Sequence, residues 1–239
     1  WSFDWDAMEK MVTPKTKIFI LSNPANPLGR AFSSAEITQL AEFCERHDLI
    51  LLSDEIHCDL IFDEEKTPHF SALNLPDELR KRTITLLAPS KTYNIAGLGY
   101  AFAVIPDEKV RKRFNAVKGH TLAEINCLAY YAAEAAYKDG EPWRQELLAY
   151  LRKNRDLLTS TLRNALPGIA IPDIEATYLA WIDCRPLEIE NPTKKAEDAG
   201  LYLSDGAFFG HRDCLRINFG TQTDRLESAL ETLIAAVRS

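Results

Sequence analysis

Ile84-Thr85-Leu86-Leu87-Ala88-Pro89-Ser90-Lys91-Thr92-Tyr93-Asn94-Ile95-Ala96-Gly97 is a short apolar run followed by a polar, lysine-bearing turn. Residues 84–88 have the length and composition of a buried strand. Lys91 then stands at the strand's mouth. Burial there would disfavour the ammonium and free an amine nucleophile, which is what a Schiff-base lysine needs. Alone, the segment fits a solvated lysine in a Ser/Thr/Asn-rich turn far better. Neighbouring segments decide between the two.

Upstream, residues 16–22 read as another buried strand, followed by Asn23-Pro24-Ala25-Asn26-Pro27-Leu28-Gly29. Two Asn-Pro steps and a glycine exclude regular structure there. Ser33 and Glu36 have capping-box spacing and predict a helix running to about His47. Residues 49–53 form a further apolar strand ending at Asp54-Glu55. Residues 60–82 read as irregular, and residues 100–105 as a fourth strand stopped by Pro106. These near-continuous apolar runs predict strands buried on both faces of a mainly parallel α/β sheet. Ligands of such sheets sit beyond the carboxyl ends of strands. Asn26, Asp54 and Lys91 each lie just past such an end, so one crevice is expected to gather them.

Downstream, helices are predicted over 107–118, 122–138 and 141–165, the last opening with Pro142 in its first turn. Strands at about 177–183, 201–204 and 214–219 alternate with short helices before a final helix over 222–238. The organisation expected is a larger α/β domain over 1–140, then a long helix and a smaller α+β domain over 141–239.

The chain has 239 residues, 46% hydrophobic and 26% charged, with a net charge of −7. Dispersed charge of that sign argues against nucleic acid or an anionic membrane as partner. No apolar run reaches the length of a membrane span. Cys44, Cys58, Cys127, Cys184 and Cys214 are scattered and contain no Cys-x-x-Cys pair, so neither a disulfide framework nor a zinc site is suggested. A reducing, cytoplasmic setting is expected, and no metal. Trp1-Ser2-Phe3-Asp4-Trp5-Asp6 lacks an initiator Met and the features of a signal peptide, and reads like the interior of a protein.

Taken together, Asn26 in Asn-Pro-x-Asn-Pro-Leu-Gly, Asp54 at a strand end, Ser90-Lys91-Thr92-Tyr93-Asn94 and Arg216 in Leu215-Arg216-Ile217-Asn218-Phe219 resemble the class I/II aminotransferase superfamily. These are the fold-type I enzymes that use pyridoxal 5′-phosphate (PLP). Asp54-Glu55-Ile56-His57-Cys58-Asp59 and Ala176-Thr177-Tyr178-Leu179-Ala180-Trp181 look more like the cystathionine β-lyase (MalY/PatB) branch. The resemblance spans the whole chain. It implies a PLP-dependent enzyme, an amino-acid substrate and a homodimer. It assigns Lys91 to covalent attachment of the cofactor and proton transfer. It places Asp54 beside the pyridine nitrogen, Asn26 on the phenolic oxygen and Arg216 on the substrate carboxylate. Ser90 would contact the phosphate, and His57 the cofactor region.

Each assignment has a plainer alternative: a turn-capping Asp54, a loop-shaping Asn26, a packing His57, a salt-bridged Arg216. Two departures stand out. Many aminotransferases carry Ser three residues before the lysine and Arg eight after, both on the phosphate; here Ala88 and Gly99 occupy those places. The lyase branch tolerates this. The resemblance also implies a long further stretch of chain before the part matching Trp1, so this chain alone is expected to be an incomplete catalyst that exposes a sheet edge and associates. The leading expectation is a carbon–sulfur β-lyase, with an aminotransferase second. A non-catalytic regulatory module of the same fold is the other class, although no basic helix-turn-helix is visible.

Overall fold

Ile18–Ser22 (β1), Ile50–Asp54 (β2), Thr83–Leu87 (β3) and Phe102–Val104 (β4) form one sheet in that order. The first three are parallel, and β4 runs antiparallel to β3. The computed structural model describes residues 1–119 and 124–238. By their contacts they divide into two units: residues 1–23, 32–58 and 69–139, and residues 24–31, 59–68 and 140–239. Two early loops thus belong with the C-terminal half.

In the first unit, α1 (Trp5–Met11) precedes β1, and α2 (Ser34–Arg46) joins β1 to β2. Both halves of the capping box form. Ser33 Oγ accepts from Glu36 N, and the Glu36 carboxylate accepts from Ser33 N. Ile37, Leu40, Ala41, Phe43 and Cys44 make the buried stripe of α2, which packs on β2. The segment expected to be irregular contains a 3₁₀ turn at Ala72–Asn74 and a short helix, α3 (Asp77–Arg80). Pro76 immediately precedes that helix, where its missing N–H costs nothing. α4 (Glu108–Lys118) and α5 (Cys127–Asp139) follow β4. The expected start of α5 at residues 122 and 123 lies outside the described residues, and 124–126 are not helical.

One expectation is corrected in this sheet. Continuous apolar runs predict cover on both faces, yet Ile20 of β1 is 71% exposed and Ile18 is 50% exposed. Alternate residues of a strand point to opposite faces, so one face of β1 is bare in this chain.

In the second unit, α6 (Glu141–Ala165) starts and ends where the sequence predicts, with Pro142 in its first turn. Leu179–Asp183 (β5), Ser204–Asp205 (β6) and Cys214–Asn218 (β7) form an antiparallel sheet in the order β5-β7-β6. α7 (Pro192–Asp198) and α8 (Thr223–Arg238) complete the unit. Its core joins Leu148, Leu151, Leu158 and Leu162 of α6 to Ile182, Leu215 and Phe219 of the sheet region and Leu226, Leu230 and Leu233 of α8. The expected strand over 201–204 shrinks to Ser204–Asp205. Asp205 caps the 3₁₀ turn Gly206–Phe209 through its side chain, and that turn ends the pairing.

Candidate functional site

The first unit carries Asp54, His57, Ser90 and Lys91 at the carboxyl end of its sheet. Asp54 is the last residue of β2 and pairs in register with Leu86 of the adjacent β3. Lys91 follows β3 in a turn closed by Tyr93 N donating to Pro89 O (2.9 Å) and Ile95 N donating to Ser90 O (3.2 Å). Asn94 at φ +54° lets that turn close, as Asn tolerates the left-handed region. Lys91 and Ser90 are partly exposed, and His57 is buried in the turn after β2.

Asp54 is half-buried. Desolvation pushes its carboxyl pKa up; a backbone hydrogen bond from Ile56 and the Lys91 charge pull it down, and the adjacent Glu55 charge pushes it up again. The two sequence-predicted ionisable residues therefore feel each other across neighbouring strand ends. Beside Lys91, Thr92 is fully buried and its hydroxyl has no hydrogen-bond partner among the described residues. Such a group is costly unless something accepts or donates to it. Gly99, where many aminotransferases carry a phosphate-binding Arg, sits at φ +65° with open space around it. That conformation favours glycine.

The second unit carries Asn26 and Arg216. Asn26 lies in a loop closed on itself by Gly29 N donating to Ala25 O (2.8 Å) and Ala25 N donating to Arg30 O (2.7 Å). The loop is also clamped from outside. Gly29 O accepts from Glu175 N (2.8 Å) and Ala176 N (2.9 Å), while the Glu175 carboxylate accepts from Ala31 N (3.0 Å). Gly29 is at φ +68°, and a Cβ there would meet Ile174 Cγ2 at 2.9 Å, so glycine is required for the approach. Next along, Thr177 is a fully buried β-branched residue at φ +71°. That conformation is strained, by about 1–3 kcal/mol. It is held by its own N donating to Leu60 O (2.9 Å) and by its hydroxyl accepting from Leu179 N (3.1 Å).

Arg216, in the centre of β7, donates from Nη1 to Asn26 Oδ1 (2.9 Å) and from Nη2 to Ser204 Oγ (2.9 Å). Its guanidinium lies over the Phe209 ring, 5.1 Å from the centroid. Burial lowers its pKa from the ordinary value and the Tyr178 hydroxyl raises it. All these partners are neutral, and no carboxylate pairs with Arg216 among the described residues. A half-buried cation that keeps spare in-plane donors and no counter-charge is suited to a two-pronged carboxylate. Sequence reading missed Ser204, Phe209 and Tyr178 as its partners. Only strand register, which sets Ser204 and Trp181 opposite Arg216, exposes the first. No group of three or more His, Cys, Asp or Glu among the described residues is arranged to hold a metal ion.

A parallel sheet with a lysine and a carboxylate near adjacent strand ends, and an antiparallel unit carrying an Arg that pairs with no carboxylate among the described residues, fits a fold-type I α/β architecture. The family model for aminotransferase class I and II matches residues 1–233, and the chain belongs to that family. It is 33% identical over 244 residues to cystathionine β-lyase PatB of Bacillus subtilis, covering 99% of this chain and 62% of PatB. Among solved structures, OvoB superposes with a TM-score of 0.94 at 40% identity, covering 100% of this chain and 62% of OvoB. Cystalysin from Treponema denticola, which contains a pyridoxal 5′-phosphate cofactor, superposes with a TM-score of 0.91 at 31% identity, over 99% of this chain and 61% of cystalysin. The chain thus spans under two thirds of the length of the relatives it matches.

Proposed function

We propose that the native protein carrying this chain is a PLP-dependent carbon–sulfur β-lyase acting on cystathionine or a cysteine-like amino acid. The observation that carries the reading is the electrostatically linked pair Asp54 and Lys91 at neighbouring carboxyl ends of parallel strands. The buried, unpartnered Thr92 hydroxyl beside Lys91 fits a site built to meet a polar group. PLP, when bound, supplies an electron sink for the electron pair left when an α-proton departs.

In this reading Lys91 holds the cofactor through its amine and takes the substrate's α-proton. The Asp54 carboxylate, drawn toward its ionised form by the Ile56 hydrogen bond and the Lys91 charge, would pair with the pyridine nitrogen and hold the proton there. Asn26 donates toward the phenolic oxygen, Ser90 contacts the phosphate, and His57 lines the cofactor region. Arg216 grips the substrate carboxylate in the plane left open by Asn26, Ser204 and Phe209. The thiolate leaves from the β-carbon, and the products after hydrolysis are the thiol, pyruvate and ammonia. A cytoplasmic homodimer completes the proposal.

The second reading is an aminotransferase using the same residues, favoured by the description of the matching family model. Pyruvate release from cystathionine with no keto-acid acceptor distinguishes the lyase. Borohydride reduction of the PLP-loaded protein followed by peptide mapping should place the pyridoxyl group on Lys91. An adduct on any other lysine overturns the assignment.

A further inference from the structure

Glu55, the neighbour of Asp54, is the most deeply buried carboxylate of the first unit, with no exposed surface. Its N–H donates to Leu86 O (2.9 Å), carrying the β2–β3 pairing one residue further. Its side chain is saturated by three donors: Ser53 Oγ at 2.8 Å, Ala72 N at 2.8 Å and His69 Nε2 at 3.0 Å. The last bond places the imidazole hydrogen on Nε2. The other ring nitrogen of His69 is buried with no partner among the described residues. Burying a carboxylate costs several kcal/mol, roughly, before any pairing repays it. A leucine there would orphan the three donors, but a neutral glutamine could still accept from them, so the charge calls for a reason.

Asn23 mirrors this arrangement one strand away. It too is fully buried. Its N–H donates to Asp54 O (2.9 Å), its amide donates to Phe70 O (3.1 Å), and its side-chain oxygen accepts from Phe32 N (3.1 Å). Asn23 and Glu55 therefore tie the ends of β1 and β2 to one segment, His69–Ala72, and Asp54 lies between the two ties. The carbonyl of Asp54 and the N–H after it are both committed.

We propose that Glu55, braced by His69 and matched by Asn23, is a positioning residue for Asp54: it locks the backbone around Asp54 and sets the charge its carboxylate faces. The inference rests on the proposed role of Asp54 beside the pyridine nitrogen. The charges facing Asp54 are Glu55, the next residue in the chain, and Lys91 from the turn after β3. Glu55 needs no contact with cofactor or substrate to act. A carboxylate displaced by even about 1 Å loses roughly a hundred-fold in rate.

The test uses Glu55→Gln, which keeps size and acceptor oxygen but removes the charge, and His69→Gln, which loosens the same brace from its more exposed end. Asp54→Asn is the control. Three quantities are measured: the Asp54 titration by carbon-13 NMR of the unloaded protein, the pH dependence of the bound cofactor's absorbance, and kcat against KM. The expected result for Glu55→Gln is an Asp54 midpoint moved to lower pH, because a neighbouring negative charge is gone. A kcat fall of roughly ten- to a hundred-fold with KM for the amino acid within two-fold is expected for Glu55→Gln, and in the same direction for His69→Gln. If Glu55→Gln does not fold, His69→Gln decides alone. Unchanged titration, absorbance and kcat in the folded variants overturn the proposal, as does activity lost only in proportion to unfolded protein. If Asp54→Asn itself keeps full turnover, the reading of Asp54 fails first, and this inference with it. An effect of Asp54→Asn without one of Glu55→Gln or His69→Gln removes this inference alone.

Discussion

Asp54 carries a cost that its proposed role explains. Its raised carboxyl pKa means that the folded state resists the ionised form. The unfolded chain ionises at its ordinary value, so the penalty is absent below the unfolded pKa and fully present above the folded one. Asp54→Asn should therefore raise the thermal midpoint of the unloaded protein at neutral pH, with the gain vanishing in acid. The same change should lower turnover of the loaded protein by about 2–4 kcal/mol of transition-state stabilisation. Calorimetry at two pH values and steady-state kinetics check the pair. A variant that is less stable at pH 7 contradicts the sign. Asp54 and Lys91 were legible as candidates because Asp54 ends one apolar strand and Lys91 lies in the turn just after another. Glu55 was not, since a Glu after an Asp at a strand end looks like solvent-facing charge until its three donors are seen. Ser204 and Phe209 escaped for a similar reason: one meets Arg216 through the register of a two-residue strand, the other through the 3₁₀ turn that follows it.

At the scale of elements, the helices were legible to within a residue or two wherever a cap or a proline marked them. α2 has both halves of its capping box, and α6 its first-turn proline. Short strands were less so, because β6 is set by a turn and not by an apolar run. That turn makes a sharp prediction. A Cβ on Gly206 would fall on the carbonyl oxygens of His211 and Cys214. Gly206→Ala should destabilise by roughly 1–3 kcal/mol, displace Ser204 and weaken amino-acid binding more than cofactor binding. Urea unfolding and KM are the measurements. The start of α6 offers a pH probe. Arg144, backed by Gln145, holds the Glu141 carboxyl down from 4.5 to about 2. Its contribution is complete above the unfolded value of 4.5 and is lost as pH falls through about 2. With 58% of the Glu141 side chain exposed, solvent screening keeps it below ~1 kcal/mol. Glu141→Gln should thus be slightly less stable than wild type at pH 6, and the difference should close near pH 2. A constant difference across that range would refute the pairing.

On the scale of the whole molecule, the bare face of β1 predicts association. Ile18 and Ile20 stand exposed on an edge strand, and such edges pair or aggregate unless covered. The isolated chain should show concentration-dependent sedimentation, and Ile20→Lys should reduce it without lowering the stability by more than about 0.5 kcal/mol. Monomeric behaviour of the wild type at all concentrations would oppose this. The fold class was legible because alternating apolar runs and helices admit few architectures. The partition of the chain was not, because a cut near residue 140 cannot reveal that 24–31 and 59–68 group with the C-terminal half. That interleaving has a consequence for synthesis. The loop bearing Asn26 leaves the ribosome well before the Glu175 and Ala176 amides that grip it at Gly29 are translated. Until then the loop lacks those two hydrogen bonds. A chain stopped at residue 139 would carry the asparagine without the Glu175, Ala176 and Arg216 contacts that meet its loop, so half of this chain is not a ready-made module.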